Sequence, residues 1–564
     1  MNCANSSLSR PPTTAHRPLP TALLIILLLA VAPFFLNLGA SSLWDSNEAF
    51  YTETPRVMIE SGDFLNPSFN GNPRFNKPPL SYWIVAAFYK IFGVSESSER
   101  LAIALGAIAL IAAVFVIAKT VYTVEAGLFA AIALAASPRF LMFSRRIIID
   151  VYIALFMALV LMFFLMAEKY PHRRRTYLAL MYASVGLGVM TKGPIAAALP
   201  ALAFLVYLAA FKKLSRLREM MLPLGALIVA LIVLPWYVAV YEQHGWGYIE
   251  SFIFKDNFSR FTEPVWGPRR GVFFYLPVML GDLFPWSLFL IIAAWLAFRR
   301  ISMPSSQDES RERGALLGIW VAVIVVFFSL SRNKEDLYIL PAYSAASAII
   351  GGLLARFGER RLLVRTATAI IAALIAILGA IVIYLSSQPV SPFRLSGATA
   401  IGWAAAAGGS IAIALIVSRK DFAAVATTAL AVIVANYFFV LAVLPDFERF
   451  KPARQFCEII KNRADSDAMA GYFRLASPSM AFYLRRPVFE YYDEEELIRT
   501  LSSEREVYCL MTQEDYTRVK DALPESYVLA TCPLFQVKLK SIFERKEFPQ
   551  AVLVSNRDRS SDER

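Results

Sequence analysis

Histidine and cysteine are scarce, at three and four residues in a chain of 564. His16, His172 and His244 cannot build a histidine metal site, and Cys3, Cys457, Cys509 and Cys532 show no metal-ligand spacing. Charge is also thin, at 18% of residues against about 25% in ordinary soluble chains. That shortage excludes a soluble protein of this length. A net charge of +12 would suit nucleic acid if the basic residues formed one patch. They gather instead in short loops between apolar runs, the topological mark of cytoplasmic loops, so no nucleic-acid partner is expected.

What the sequence has is apolar length. Hydrophobic residues make up 57%, and runs near 20 residues, about the thickness of a bilayer core, recur along it. The fold class is a polytopic α-helical membrane protein, with candidate spans at 21–39, 99–118, 125–137, 151–167, 177–191, 194–211, 221–240, 273–297, 314–330, 338–356, 363–385, 398–417 and 422–444, about 13 in all. Arg10, His16 and Arg17 before the first run imitate a signal peptide, but no clear small-residue cleavage site follows, so a retained helix is expected. Leu80–Phe92 reads as an interfacial helix, with Tyr82 and Trp83 at headgroup level.

Five basic clusters, around Lys169–Arg175, Lys212–Arg218, Arg299–Arg313, Arg356–Arg361 and Arg419–Lys420, fall on one side of this span list. With residues 1–20 as a cytoplasmic tail, all five are cytoplasmic. Loops 40–98, 138–150, 241–272, 331–337 and 386–397 then lie outside, as does the segment 446–564. In that last segment ARQFCEIIKN and DEEELIRTLSS read as amphipathic helices, VYCLMT and YVLAT as strands, so a small α/β domain is expected. In an oxidising compartment two of Cys457, Cys509 and Cys532 could pair. SNRDRSSDER at the end reads as disordered.

The loop 40–98 is too long and too polar for a tether. Asp45 and Glu48 sit just after the first span, where carboxylates serve as a general base or as oxygen ligands for a divalent cation, with Glu48 the candidate metal ligand. The plainer reading is a helix N-terminus, with Asp45, Ser46 or Asn47 as cap and Glu48 in the first turn. Lys77, held between Asn76 and Pro78–Pro79, suits a lipid phosphate; the plain alternative is a snorkelling lysine. SRRIIID brings Arg145, Arg146 and Asp150 to a span edge, where Asp150 must face the bundle or a wet cavity, or form an Arg–Asp ion pair. Lys192 in TKGP reads as a surface turn. Arg260, Arg332 and Lys334 add outer-side positive charge, which fits an anionic lipid head.

LWDSNEAFYTETPRVMIESGDFLNPSFNGNPRFNKPPLSYW resembles the first outer loop of bacterial membrane glycosyltransferases related to protein O-mannosyltransferases, a group with the GT-C fold that includes aminoarabinose lipid A transferases. SRRIIIDVYIALF, GLGVMTKGPIAAALP, RFTEP, FFYLPVMLGDLFPWS and LYILPAYSAASAI are similar to later segments, in order. The resemblance covers about residues 20–445 and implies a transmembrane GT-C domain over 21–445 that uses a polyprenyl-phosphate sugar on the periplasmic face of the bacterial inner membrane. The family's phosphate-contacting lysine falls on Lys77 and its second-loop aspartate on Asp150. Where aminoarabinose transferases have Asp-Glu followed two residues later by Arg-Tyr, the matching residues here are Asn47, Glu48, Phe50 and Tyr51; the sequence departs from the pattern at Asn47 and Phe50, and at Asn76, where an acid often precedes the lysine. Asp45 or Glu48 takes the catalytic role, or the acceptor differs, and the need for a divalent cation stays open.

The expected activity is inverting transfer of a sugar to a lipid (lipid A-like), glycan or protein acceptor among membrane lipids. Asp45, Glu48 and Asp150 form the catalytic set; Lys77, Tyr51, Arg74, Tyr82, Arg145, Arg260, Arg332 and Tyr338 form the substrate set. The rival is a transporter or flippase for a lipid-linked sugar. Transporters keep ionisable groups near the bilayer midplane and often repeat their halves; here charge gathers at one face and no repeat is seen. A non-catalytic assembly or sensor protein is the other rival, and it predicts that neutralising Asp45 and Glu48 together changes nothing.

Overall fold

The computed structural model describes residues 20–558, apart from 147, 251, 253–269, 302–308, 357, 359, 389–393, 524 and 536–547. Among these, eight helices are long and apolar enough to cross a membrane: Glu96–Val121, Ile148–Lys169, Leu222–His244, Arg311–Leu330, Asp336–Ala355, Arg361–Ser387, Ala398–Val417 and Asp421–Phe450. They match eight of the thirteen expected runs. The other five are helical but differ. Pro20–Phe34, Val124–Ala136 and Ile195–Ala210 are short. Arg174–Lys192 carries basic residues at both ends. The expected 273–297 run is two helices, Val272–Asp282 and Ser287–Ala297, because Pro285 has no amide hydrogen to continue the ladder.

Local chemistry sets the boundaries. The Ser95 side chain accepts from the Ser98 amide, and Glu96 and Glu99 occupy the first turn of Glu96–Val121, so both cap and dipole favour a start there. Thr123 caps Val124–Ala136 in the same way. Small residues let buried helices close up: a Cβ on Gly351 would lie 2.2 Å from the Ala126 carbonyl oxygen. Tyr343–Ala355 therefore packs backbone against backbone on Val124–Ala136.

The loop after the first helix folds into the helix Asn47–Ser61, a hairpin of β1 (Ser68–Phe69) and β2 (Asn72–Pro73), and the helix Leu80–Phe92. That last helix is present as expected, but Tyr82 is fully buried and the Trp83 indole donates to the Phe64 carbonyl at 2.8 Å. Its aromatic end is packed into protein.

The C-terminal unit is a five-stranded sheet of β3 (Met469–Phe473), β4 (Phe489–Tyr491), β5 (Val507–Thr512), β6 (Tyr527–Pro533) and β7 (Gln550–Ser555), in the order β4-β3-β5-β7-β6. β3 runs parallel to β4 and β5; β7 is antiparallel to β5 and β6. Side chains alternate along each strand. Tyr508, Leu510, Ala551 and Leu553 meet Phe456, Ile460 and Met480 on one face. Val507, Cys509, Met511, Val552 and Val554 meet Leu497, Leu501 and Val519 on the other. The two amphipathic helices and two strands read from sequence are all here. Cys457, Cys509 and Cys532 are buried and free, so none pairs as anticipated. Asn556, inside the stretch expected to be disordered, accepts from the Val507 amide at 2.9 Å and donates to two carbonyls of the 503–505 turn.

Candidate active site

Loops far apart in sequence meet at one end of the helical body. Arg100 is the first junction. Its Nε is 2.7 Å from Glu48 Oε1, Nη1 donates to the Leu38 and Ser41 carbonyls and Nη2 to that of Ser42. Glu48 Oε2 accepts from Arg100 Nη2 and from the Trp44 amide at 2.6 Å. Both residues are buried. Glu48 is therefore not the open acid expected; a buried carboxylate with both oxygens bonded shapes the loop. Ser46, one of the three expected caps, stands at the N-cap of Asn47–Ser61 with Glu48 in the first turn, but it makes no side-chain cap bond.

Asp45 turns away to the C-terminal unit. Its two carboxylate oxygens accept from the amide and hydroxyl of Ser479, each at 2.8 Å. Part of the residue is open to solvent, but the carboxylate is crowded in the junction. Lost hydration pushes its pKa up to about 6, with the Ser479 bonds and Lys451 pulling it down. Lys451, over the Trp44 ring at 4.1 Å, donates to the Ser42 carbonyl and is pushed down to about 8 by burial.

The second junction corrects two expectations. Among the described residues Arg145 pairs with no acid: its guanidinium donates to the carbonyls of Pro33, Leu36 and Asn37, capping the exit of the first helix. Asp150 pairs with Lys192, the residue read as a surface turn. The Lys192 ammonium also lies 5.2 Å from the centre of the Tyr338 ring. Asp150 and Tyr338, both anticipated, are thus brought together by a lysine that was not. The order of apolar runs puts the 192–193 turn on the same side as 138–150, the one sign of this pairing in the sequence.

A third junction was missed outright. Arg139 forms ion pairs with Asp282, at 3.3 Å, and with Asp336. The Tyr343 hydroxyl also donates to Asp282. Arg139 ties the 138–150 loop to the helix ending at Asp282 and to the start of Asp336–Ala355. Nothing in the spacing of these residues marks them.

The anticipated phosphate-facing residues form a platform. Arg74 lies 3.9 Å from the centre of the Phe50 ring and donates to the Tyr82 hydroxyl at 3.2 Å. Tyr82 stacks on Tyr51 at 5.4 Å. Lys77, three residues on, is half-buried, and its ammonium donates to the Asn76 carbonyl at 2.8 Å. Arg332 is exposed. Arg260 lies outside the described residues.

Among the described residues no group of three or more histidine, cysteine, aspartate or glutamate side chains could hold a metal ion. Glu48, the candidate ligand, already has both oxygens bonded by Arg100 and the Trp44 amide. These residues do not fit a resident divalent cation at Glu48.

Residues 76–238 match the family described as dolichyl-phosphate-mannose-protein mannosyltransferase. The fold is similar to a crystal structure of ArnT from Cupriavidus metallidurans bound to undecaprenyl phosphate, with a TM-score of 0.78 at 24% identity over 96% of this chain and 99% of that one. The chain has the GT-C fold. Among relatives of this GT-C protein are undecaprenyl phosphate-alpha-4-amino-4-deoxy-L-arabinose arabinosyl transferases. That of Sodalis glossinidius is 31% identical over 339 residues, 58% of this chain and 59% of its own. That of Pseudomonas savastanoi pv. phaseolicola is 29% identical over 322 residues, 56% of this chain and 58% of its own. The match thus spans less than two thirds of these relatives' length. The archaeal oligosaccharyltransferase AglB from Archaeoglobus fulgidus shares the fold more distantly, at a TM-score of 0.51 and 15% identity over 89% of this chain and 70% of its own. In this fold the chain is a multi-pass helical membrane protein with a small C-terminal sheet unit.

Proposed function

We propose that this protein is an inverting glycosyltransferase of the bacterial inner membrane. It moves a sugar from a polyprenyl-phosphate donor to a lipid, glycan or protein acceptor, at an outer rim with the N-terminus cytoplasmic. The observation that carries this reading is the convergence of loops 40–98, 138–150 and 331–342 through the Arg146–Trp44 contact, the Arg139–Asp336 pair and Lys192, which bridges Asp150 and Tyr338. They leave the platform of Arg74, Tyr82 and Tyr51, with Lys77, at the same end.

In the proposed reaction the prenyl tail lies among the helices and the donor phosphate meets Lys77 and Arg74. Asp150 keeps one carboxylate oxygen on Lys192; the other takes the proton of the acceptor nucleophile. The freed electron pair forms the bond to the anomeric carbon from the face opposite the phosphate. The anomeric carbon–oxygen bond breaks, and its pair stays on the polyprenyl phosphate. Lys77, Arg74 and the Lys192–Tyr338 pair stabilise that developing charge, each charge-assisted hydrogen bond contributing about 1.5–3 kcal/mol. The names of the relatives support undecaprenyl phosphate as the lipid and 4-amino-4-deoxyarabinose as the first sugar to try.

The test is transfer by purified protein in lipid, offered a panel of polyprenyl-phosphate sugars with a lipid A, a glycan or a peptide acceptor. Transfer that falls at least 100-fold in Lys77→Ala, with insertion and melting unchanged, is the expected result. Wild-type turnover in Lys77→Ala removes that residue, and no turnover with any donor removes the reading.

A further inference from the structure

Arg145 and Arg146 are neighbours with opposite fates. Arg145 is spent on three backbone carbonyls. Arg146 is half-buried, its Nε is shielded from solvent with no hydrogen-bond partner, and it forms no ion pair among the described residues. Its guanidinium carbon lies 5.1 Å from the centre of the Trp44 ring, and Trp44 stacks on Phe447 at 5.4 Å. The acids whose charge reaches it are Glu48 and Asp336. Glu48 is bonded to Arg100 and Asp336 to Arg139. Arg139 itself adds repulsion.

A guanidinium that has lost part of its hydration and found no acceptor is costly. Five donors in a rigid planar fork match the oxygens of a phosphate, which accepts two parallel bonds. We propose that Arg146, seated over the Trp44 ring, is a phosphate-binding residue of the active rim, and that it takes a phosphate oxygen of one of the two lipid substrates. This assignment rests on the transfer reading for its context. The phosphate could belong to the donor lipid or to a phosphorylated acceptor lipid. The plain alternative is that Arg146 merely packs on Trp44.

Purified protein in lipid nanodiscs is melted alone, with undecaprenyl phosphate, and with diphosphorylated lipid A. Arg146→Met keeps the packing on Trp44 and removes the charge. It is expected to melt like the wild type without ligand, and to bind one of the two lipids about 10- to 100-fold more weakly. The lipid that loses its shift identifies the source of the phosphate. Undiminished binding of both lipids overturns the proposal. Should Arg146→Met not fold, Arg146→Lys decides: an ammonium cannot make the forked contact, so wild-type affinity for both lipids in that variant also overturns it. An Arg146-dependent shift in a wild type that transfers no sugar keeps this site and rejects the transfer reading. A wild type stabilised by neither lipid rejects the site, whatever the transfer assay gives.

Discussion

Asp45, in the first loop, receives both the amide and the hydroxyl of Ser479, 434 positions later in the chain. A carboxylate set before the helix Ser479–Leu484 gives its first amide an acceptor, so the loop caps a helix of the C-terminal unit. The two parts are fastened by side chains that also carry charge.

The pH dependence of that fastening follows from its sign. The Asp45 pKa in the folded protein, about 6, lies above its unfolded value of 3.8, so the folded state holds the proton more tightly. The stabilising contribution is fully present below pH 3.8 and is lost as pH rises through about 6. Asp45→Asn, permanently neutral and still able to accept from the amide, should flatten this slope. Hydrogen exchange of the Ser479–Leu484 amides between pH 4 and 8 checks it, and an unchanged slope in the variant contradicts it.

Arg100 and Glu48 should behave as a structural pair. Arg100→Ala leaves a buried carboxylate without its partner, at a cost of about 3–5 kcal/mol, and Arg100→Lys cannot reach three carbonyls as well as Glu48. Both variants should lower the melting temperature and the yield of folded protein. If Glu48→Gln melts like the wild type but transfers no sugar, Glu48 has a chemical role that this bonding does not explain.

Asp150 and Lys192 should separate chemistry from stability. Asp150→Asn is expected to cut the transfer rate about 100- to 10,000-fold while keeping lipid binding. Lys192→Met should also slow transfer, and the double variant should be no slower than Asp150→Asn alone, because the two act as one unit. Single-turnover rates with a saturating donor read this directly; additive losses would place the residues in separate steps.

Gly351 tests the packing. Gly351→Val puts a branched side chain where even a Cβ lies 2.2 Å from the Ala126 carbonyl. The helices must part, and a loss of about 1–3 kcal/mol or more is expected. Detergent melting of this variant beside Gly318→Val, where nothing lies within 4 Å of a Cβ, isolates the effect.

The membrane body was legible because apolar length is a property of a contiguous segment. Where it misled, a local residue was responsible: Pro285 split one run, and the basic ends of Arg174–Lys192 set that helix apart from its neighbours. The C-terminal elements were legible from period alone. The site was readable as loops and not as partners. Asp150, Tyr82, Tyr51 and Arg74 stood out as residues, yet Asp150–Lys192, Arg100–Glu48 and Arg139–Asp336 join positions 42, 52 and 197 residues apart. Such pairings are set by helix packing, which no local pattern carries. Adjacent arginines show the limit most plainly, since Arg145 and Arg146 differ only in which way the turn presents them.

The hairpin of β1 and β2 has one more implication. Asn70, at its tip, gives its side-chain amide to the Val488 carbonyl and takes the Val488 amide in return, both at 2.6 Å, while Phe69 packs into the sheet unit's core. The peptide that leads to Lys77 is thereby laced to the far end of the chain. A displacement of the hairpin would therefore strain the Asn70–Val488 bonds as well as the peptide before Lys77.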